Sequence, residues 1–477
     1  MSGFESSRRS FLKAALAGTV GASTFLQKEV PSFADAAATS DEFFVVVLLQ
    51  GGWDVMLLTD PRNEKKGLVA PPTTETTDLA TTKIRHWTDA PFDGDVKTFA
   101  PVKPHANAAM RLGPAIGDLA AYYDRLTIVN GLAMSTVSHP DGVAFSTTGR
   151  HLGGGQPASA TIDTMLASEF GRAQLIPSAA IGFPSVFLGN HLDRRAVPLK
   201  IPSLATVSRT LTRSTRFETA AERTRVTRML AAEADDLAKG AARPTTFESW
   251  GAQLRSLESM LDRDRGDLRT LFDVTALQAA YPDLHEPYAD PVYGAATAAQ
   301  KKAKFFGAAP TNFAFAIESM RRDVLRTVSL TMGNFDTHFA SNYRIHAALL
   351  QESMNLLAGF LRELDRTPHP TRAGKKLADH THVLVVSDFC RSPGINLSGG
   401  RDHHPNNSAI VISPKWKGNR VIGSTDTEQV LPKIAGTFTD GARPIAPPDV
   451  LATMLASVDV DPRRYMRDGE VVPGVIA

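Results

Sequence analysis

Phe43-Phe44-Val45-Val46-Val47-Leu48-Leu49 is an unbroken hydrophobic run with no polar residue alternating through it. A β-branched and aromatic run of this kind predicts a strand covered on both faces, as in a parallel sheet. It stops at Gln50-Gly51-Gly52-Trp53-Asp54. Helical spacing follows over Ala106 to Asp124, and a second apolar strand over Leu126 to Leu132. Further short strands are predicted at Val324–Thr331, His382–Ser387 and Ser408–Ile412. Strands alternating with helices predict an α/β fold with a doubly wound, mostly parallel sheet.

Between about residues 205 and 305 the pattern changes. Phe217–Lys239 and Phe247–Phe272 are rich in Ala, Leu, Glu and Arg, with Leu254, Leu257, Leu261, Leu268 and Leu271 near one helical face. This predicts a helical insertion, either a cap that shapes access to a site or a structural appendage. Ahead of the first strand, Ser7-Arg8-Arg9-Ser10-Phe11-Leu12-Lys13 leads into an apolar stretch from Ala14 to Leu26. That is the pattern of a twin-arginine export signal, and the stretch is short for a bilayer span. Small-x-small cleavage sites end at Ala36 and Ala38. Residues 1–38 are therefore assigned to a signal peptide and 41–477 to the α/β domain. The expected destination is periplasmic or secreted, with the twin-arginine translocase as partner during export. Because that route accepts folded cargo, it suits a protein loaded with a metal or cofactor inside the cell.

With 477 residues, 43% hydrophobic, 21% charged and a net charge of +2, the chain can bury a large core and shows no bias toward nucleic acid. No later segment is apolar for long enough to suggest an integral membrane protein. The single cysteine, Cys390, excludes an intramolecular disulfide.

In open α/β sheets ligands bind at the carboxyl ends of strands. Polar clusters recur there: Asp54; Ser138-His139-Pro140-Asp141; Asn334-Phe335-Asp336-Thr337-His338; Ser387-Asp388-Phe389-Cys390-Arg391; and Gly399-Gly400-Arg401-Asp402-His403-His404 before the last strand. Carboxylates and imidazoles gathered at one sheet edge are a metal-site pattern. Asp336-x-His338 is the sharpest pair, since alternate residues at a strand end can point the same way. Of the adjacent His403 and His404, which diverge in direction, at most one is expected as a direct ligand. His369, His380 and His382 carry no spacing signal. Gly153-Gly154-Gly155 lacks the ending of a phosphate-binding loop, and no Gly-x-Ser-x-Gly elbow occurs.

The order of these motifs, from Leu49-Gln50-Gly51-Gly52-Trp53-Asp54 to the terminal helix around Pro447, Asp449 and Val450, resembles a bacterial family of twin-arginine-exported proteins. That family is known only as a domain of unknown function within the alkaline phosphatase and sulfatase superfamily. The resemblance implies an alkaline-phosphatase-like sheet and one or two divalent ions, zinc or manganese rather than calcium. Carried over residue by residue, it implies Asp54, Asp336, His338, Asp388 and His403 as metal ligands, with His346 as an alternative. Ser138, followed by Thr148-Gly149-Arg150, takes the nucleophile position. A cysteine-derived formylglycine is impossible there, and a serine alkoxide is the closer analogy. In that scheme an ion on Asp54 and Asp388 activates Ser138, a second faces the leaving oxygen, and Arg150 or Arg391 neutralises the nonbridging oxygens. The sequence departs from the superfamily at Asp388-Phe389, where a histidine is expected after the aspartate, which weakens the second metal position.

The function implied is an exported metal-dependent hydrolase of phosphate or sulfate esters, with a small-molecule or polysaccharide ester as substrate. A non-catalytic periplasmic binding or assembly protein on the same fold is the alternative. A serine esterase built on Ser138 is disfavoured because adjacent His139 cannot easily turn back onto it.

Overall fold

The apolar run Phe43–Leu49 forms β1 and lies inside an eight-stranded sheet. In chain order its partners are β2 (Leu126–Ala133), β3 (Ile176–Ile181), β4 (Leu199–Ile201), β5 (Leu325–Met332), β6 (Thr381–Ser387), β7 (Asn406–Ile412) and β8 (Arg420–Ile422). The spatial order is β8-β2-β7-β6-β1-β5-β3-β4. This computed structural model describes residues 41–61, 63–65, 68–70, 102–212, 220–240, 251, 268–285 and 307–477, except for positions 173, 190, 395 and 440. The export-signal reading of residues 1–38 and most of the helix read over 247–272 lie outside the described residues.

β1 pairs in parallel with β5 and β6, β3 in parallel with β4 and β5, and β8 in parallel with β2. Only β7 runs against its neighbours β2 and β6. The register therefore brings one edge together: Leu49 lies beside Met332 and Ser387, and Asn406, at the start of β7, lies beside Ala133 near the end of β2. The polar clusters after β1, β2, β5 and β6 and the one before β7 consequently share that edge.

Among the described residues the helices are α1 (Val55–Leu58), α2 (His139–Thr148), α3 (Ile162–Phe170), α4 (Leu204–Thr212), α5 (Ala220–Gly240), α6 (Val274–Ala280), α7 (Ala309–Arg321), α8 (Ala340–Arg366) and α9 (Pro447–Ala456). They cover both faces of the sheet. Phe43, Val45, Val47 and Leu49 pack in one core with Phe313 and Ile317 of α7 and Leu350 and Leu357 of α8. Phe44, Val46 and Leu48 pack in the other with Ile162 and Met165 of α3 and Val450 and Leu451 of α9. Each such fully buried side chain contributes about 1.5–3 kcal/mol against exposure, which explains why β1 has no polar position. Among the described residues no helix is long and apolar enough to cross a membrane.

The helix expected over Ala106 to Asp124 is not formed as such. Val102 and Leu112 make a bridge, and only Pro114–Arg125 coils, as a 3-10 stretch broken at Gly117, whose φ is 56°. A left-handed glycine inside the stretch ends the regular repeat there. β3, β4 and β8 are not among the predicted strands: Ile176-Pro177-Ser178-Ala179-Ala180-Ile181 has neither alternation nor a β-branched run, and β4 and β8 are three residues each, too short to show a pattern. The described parts of the 205–305 region are helical, comprising α4, α5, α6 and 3-10 turns at Leu268–Phe272 and Pro282–His285.

Candidate functional site

The site begins at the turn that ends β1. Gly51 has φ 108°, and a Cβ there would come within 2.5 Å of the Asp336 backbone nitrogen, so the position excludes a side chain. The turn aims two backbone N–H groups at Asp388, from Gly51 at 3.0 Å and Gly52 at 2.6 Å. Asp388 follows β6 and is fully buried; Ser387 Oγ also donates to its Oδ1, at 2.9 Å. Its other oxygen, Oδ2, is hydrogen-bonded to Nδ1 of His139. His139 opens α2 and lies against the Phe389 ring, with centroids 4.6 Å apart.

Around Asp336 the polar atoms converge. His338 Nε2 is 2.9 Å from Asp336 Oδ1, His139 Nε2 3.3 Å and His403 Nε2 3.5 Å. The far side of each ring is held by an acceptor: His139 Nδ1 by Asp388, His338 Nδ1 by Asp402 at 3.0 Å, and His403 Nδ1 by the Val137 carbonyl at 2.8 Å. Each Nε2 therefore faces the centre, where His403 Nε2 is hydrogen-bonded to Asp336 Oδ1 at 3.5 Å, His338 and His403 meet through their Nε2 atoms at 3.0 Å, and Arg391 Nη1 lies 3.4 Å from His338 Nε2. Imidazoles anchored by an outer carboxylate or carbonyl while the other nitrogen faces inward are the arrangement of metal-ligating histidines. His139 Nε2 is shut off from solvent and makes no hydrogen bond, an orphaned polar atom that coordination to a cation would satisfy. The loop carrying His403 is fitted closely to His338: a Cβ on Gly400 would lie 2.2 Å from the His338 carbonyl carbon.

The charges are coupled. Burial raises the Asp336 pKa, but the Arg391 guanidinium, hydrogen-bonded at 2.9 Å, and the nearby imidazoles outweigh it and bring it down to about 2. The hydrogen bond to Asp388 raises the His139 pKa against the opposing effect of burial. Burial lowers that of His403, and the charges of His139 and Arg391 add to the effect.

Of the residues read from the sequence, Asp336, His338 and His403 are brought into one cluster, and Asp388 adjoins it through His139. Asp54 is fully buried elsewhere: it caps α1 through the Met56 N–H at 3.0 Å and pairs with Arg401 at 3.2 Å. His346, the alternative ligand, is enclosed in the core, its Nε2 accepting from the Asp54 N–H at 3.1 Å and its Nδ1 meeting the Thr337 hydroxyl at 2.7 Å. Ser138 is exposed at the start of α2 and its side chain makes no capping hydrogen bond. Arg150 faces Asp468 at 3.6 Å and, among the described residues, forms no ion pair with the cluster. Arg391 is buried and tied to the protein: Nε donates to the Gly52 carbonyl at 2.9 Å, Nη2 to the carbonyls of Gly51 and Phe335, and Nη1 to the Arg401 carbonyl at 3.4 Å.

Two members of the cluster, His139 and Asp402, are not among the ligands that the sequence motifs imply. His139 stands in the sequence within the polar cluster Ser138-His139-Pro140-Asp141 but without a ligand spacing of its own, although its place at the start of a helix after β2 puts it at the same sheet edge. Asp402 stood in the Asp-His-His motif, but its tie to His338 is set by a fold across the sheet.

Residues 42–470 match the family model described as "Protein of unknown function (DUF1501)", so the chain belongs to that family. No curated protein matches it in sequence.

Proposed function

We propose that this DUF1501 protein is an exported hydrolase of phosphate or sulfate esters, of alkaline phosphatase and sulfatase type, with a metal centre at Asp336, His338 and His403. One observation carries the reading: three imidazole Nε2 atoms converge on one carboxylate at the sheet edge where α/β proteins bind ligands. The donor set of imidazoles and a carboxylate suits zinc or manganese better than calcium. A divalent ion there would polarise a nonbridging oxygen of the ester and offset charge on the leaving oxygen.

The chain's own residues prepare the site. Asp388, held by Gly51 and Gly52, fixes the ring of His139. Ser138 stands exposed at the N-terminus of α2 with no capping bond on its hydroxyl, which supports it as the attacking group. Arg8-Arg9 and the apolar stretch after them support export by the twin-arginine route. Incubation of the metal-loaded mature chain with aryl phosphates and aryl sulfates tests the activity. Turnover of either class supports it, and none of either class overturns it.

A second reading, a non-catalytic binding or assembly protein on the same fold, is favoured by Arg391. Its guanidinium is engaged by backbone carbonyls and Asp336, which leaves little of it to grip a substrate anion.

A further inference from the structure

Two of the three aspartates that a two-ion site would use are already committed within the protein. Asp54 is fully buried, one oxygen on the Met56 N–H and the other 3.2 Å from the Arg401 Nε. Asp388, also fully buried, takes the N–H groups of Gly51 and Gly52 and the Ser387 hydroxyl on Oδ1, and His139 on Oδ2. Beside them lies Arg391, a guanidinium that stays charged, with Nη2 2.9 Å from Asp336 Oδ1. The third aspartate, Asp336, is the one on which His139, His338 and His403 converge.

Resting on the metal reading above, we infer that the centre takes one divalent ion, with His139 as a ligand beside Asp336, His338 and His403, and with Arg391 as the fixed second cation. The charges support this count. Among the described residues, Asp336, Asp388 and Asp402 are the carboxylates touching the cluster, and Arg391 is the guanidinium touching it. One divalent ion and one guanidinium balance three carboxylates, and a second divalent ion would leave a net positive charge in a partly desolvated site. His139 completes the set because its Nε2 is buried without a hydrogen bond, 3.3 Å from Asp336 Oδ1. Asp388 then acts on the ion through His139 and is a positioning residue.

The test is a metal count. The full mature chain, stripped with chelator, is titrated with Zn2+ and the bound ions are counted by native mass spectrometry; Co2+ with visible absorption reports the ligand set. The expected result is saturation at one ion, a zinc affinity at least about tenfold weaker in folded His139→Ala, and a loss of about 10- to 100-fold in Asp388→Asn. Two ions of comparable affinity in the wild-type chain overturn the inference and leave the metal reading standing. Unchanged zinc affinity in His139→Ala, with its circular dichroism intact, removes His139 from the ligand set. If the wild-type chain binds no ion, both the inference and the metal reading fall. The wild-type count stands whether or not either variant folds.

Discussion

His338 and His403 face each other through their Nε2 atoms at 3.0 Å, while the Nδ1 of each is already held on its far side by Asp402 and by the Val137 carbonyl. Two ring nitrogens at that distance repel unless a proton or cation lies between them. The backbone and an outer carboxylate thus build a preference for positive charge into the space beside Asp336, and the function proposed depends on what occupies it.

Asp402 is the outermost part of that arrangement, and its side chain is largely exposed, so Asp402→Asn is expected to leave the fold intact. It removes the carboxylate that orients His338, and zinc affinity should fall by about 10- to 100-fold. Competition against a chromophoric chelator reads this directly; an affinity equal to wild type would show that His338 does not ligate.

Because the Ser138 side chain makes no capping bond, Ser138→Ala should change stability by less than the ~1 kcal/mol of a typical N-cap loss. Ester hydrolysis, in contrast, should drop to near background while the metal stays bound. A folded, metal-loaded variant turning over at the wild-type rate would end the covalent mechanism.

Asp54 and Arg401 form a buried ion pair, and Arg401 has no access to solvent that could replace its partner. Removing one member of a buried pair typically costs about 3–5 kcal/mol. Asp54→Asn should therefore lower the urea midpoint strongly without changing the number of zinc ions bound. A large loss of zinc with little loss of stability would instead return Asp54 to the ligand set.

His346 is buried, and desolvation depresses its pKa to about 3, while the unfolded chain titrates near the ordinary value of 6.5. Below pH 6.5 the unfolded state binds more protons at this site than the folded one. The contribution of His346 is therefore fully present above pH 6.5 and is lost progressively as pH falls toward 3. Denaturation at a series of pH values should show a steeper acid decline for wild type than for His346→Gln, and parallel curves would contradict the assignment.

β1 was legible because burial on both faces leaves a strand no polar position. Asp336 and His338 do meet, but in the irregular loop beyond β5, which ends at Met332, so strand alternation is not what brings them together. The sequence did not distinguish Asp54 from Asp388, since each is an aspartate shortly after a strand. What separates them is distant in the chain: Arg401 takes the first, and His139 with the Gly51-Gly52 turn takes the second. His139 was missed for the same reason. Its role depends on a contact across the sheet edge, which neighbouring residues do not encode. The 106–124 segment misled because helical spacing of apolar residues survives in a 3-10 turn broken by a glycine.

Metal-dependent hydrolysis is tested most directly by the rate of aryl ester hydrolysis by the mature chain as zinc or manganese is removed and restored. The proposed metal-dependent function requires that a chelated, folded protein lose its turnover of aryl phosphate or sulfate, regain it on addition of the ion, and fail to regain it in His403→Ala. Hydrolysis that persists unchanged in the chelated protein, or is absent at every metal concentration, would contradict it.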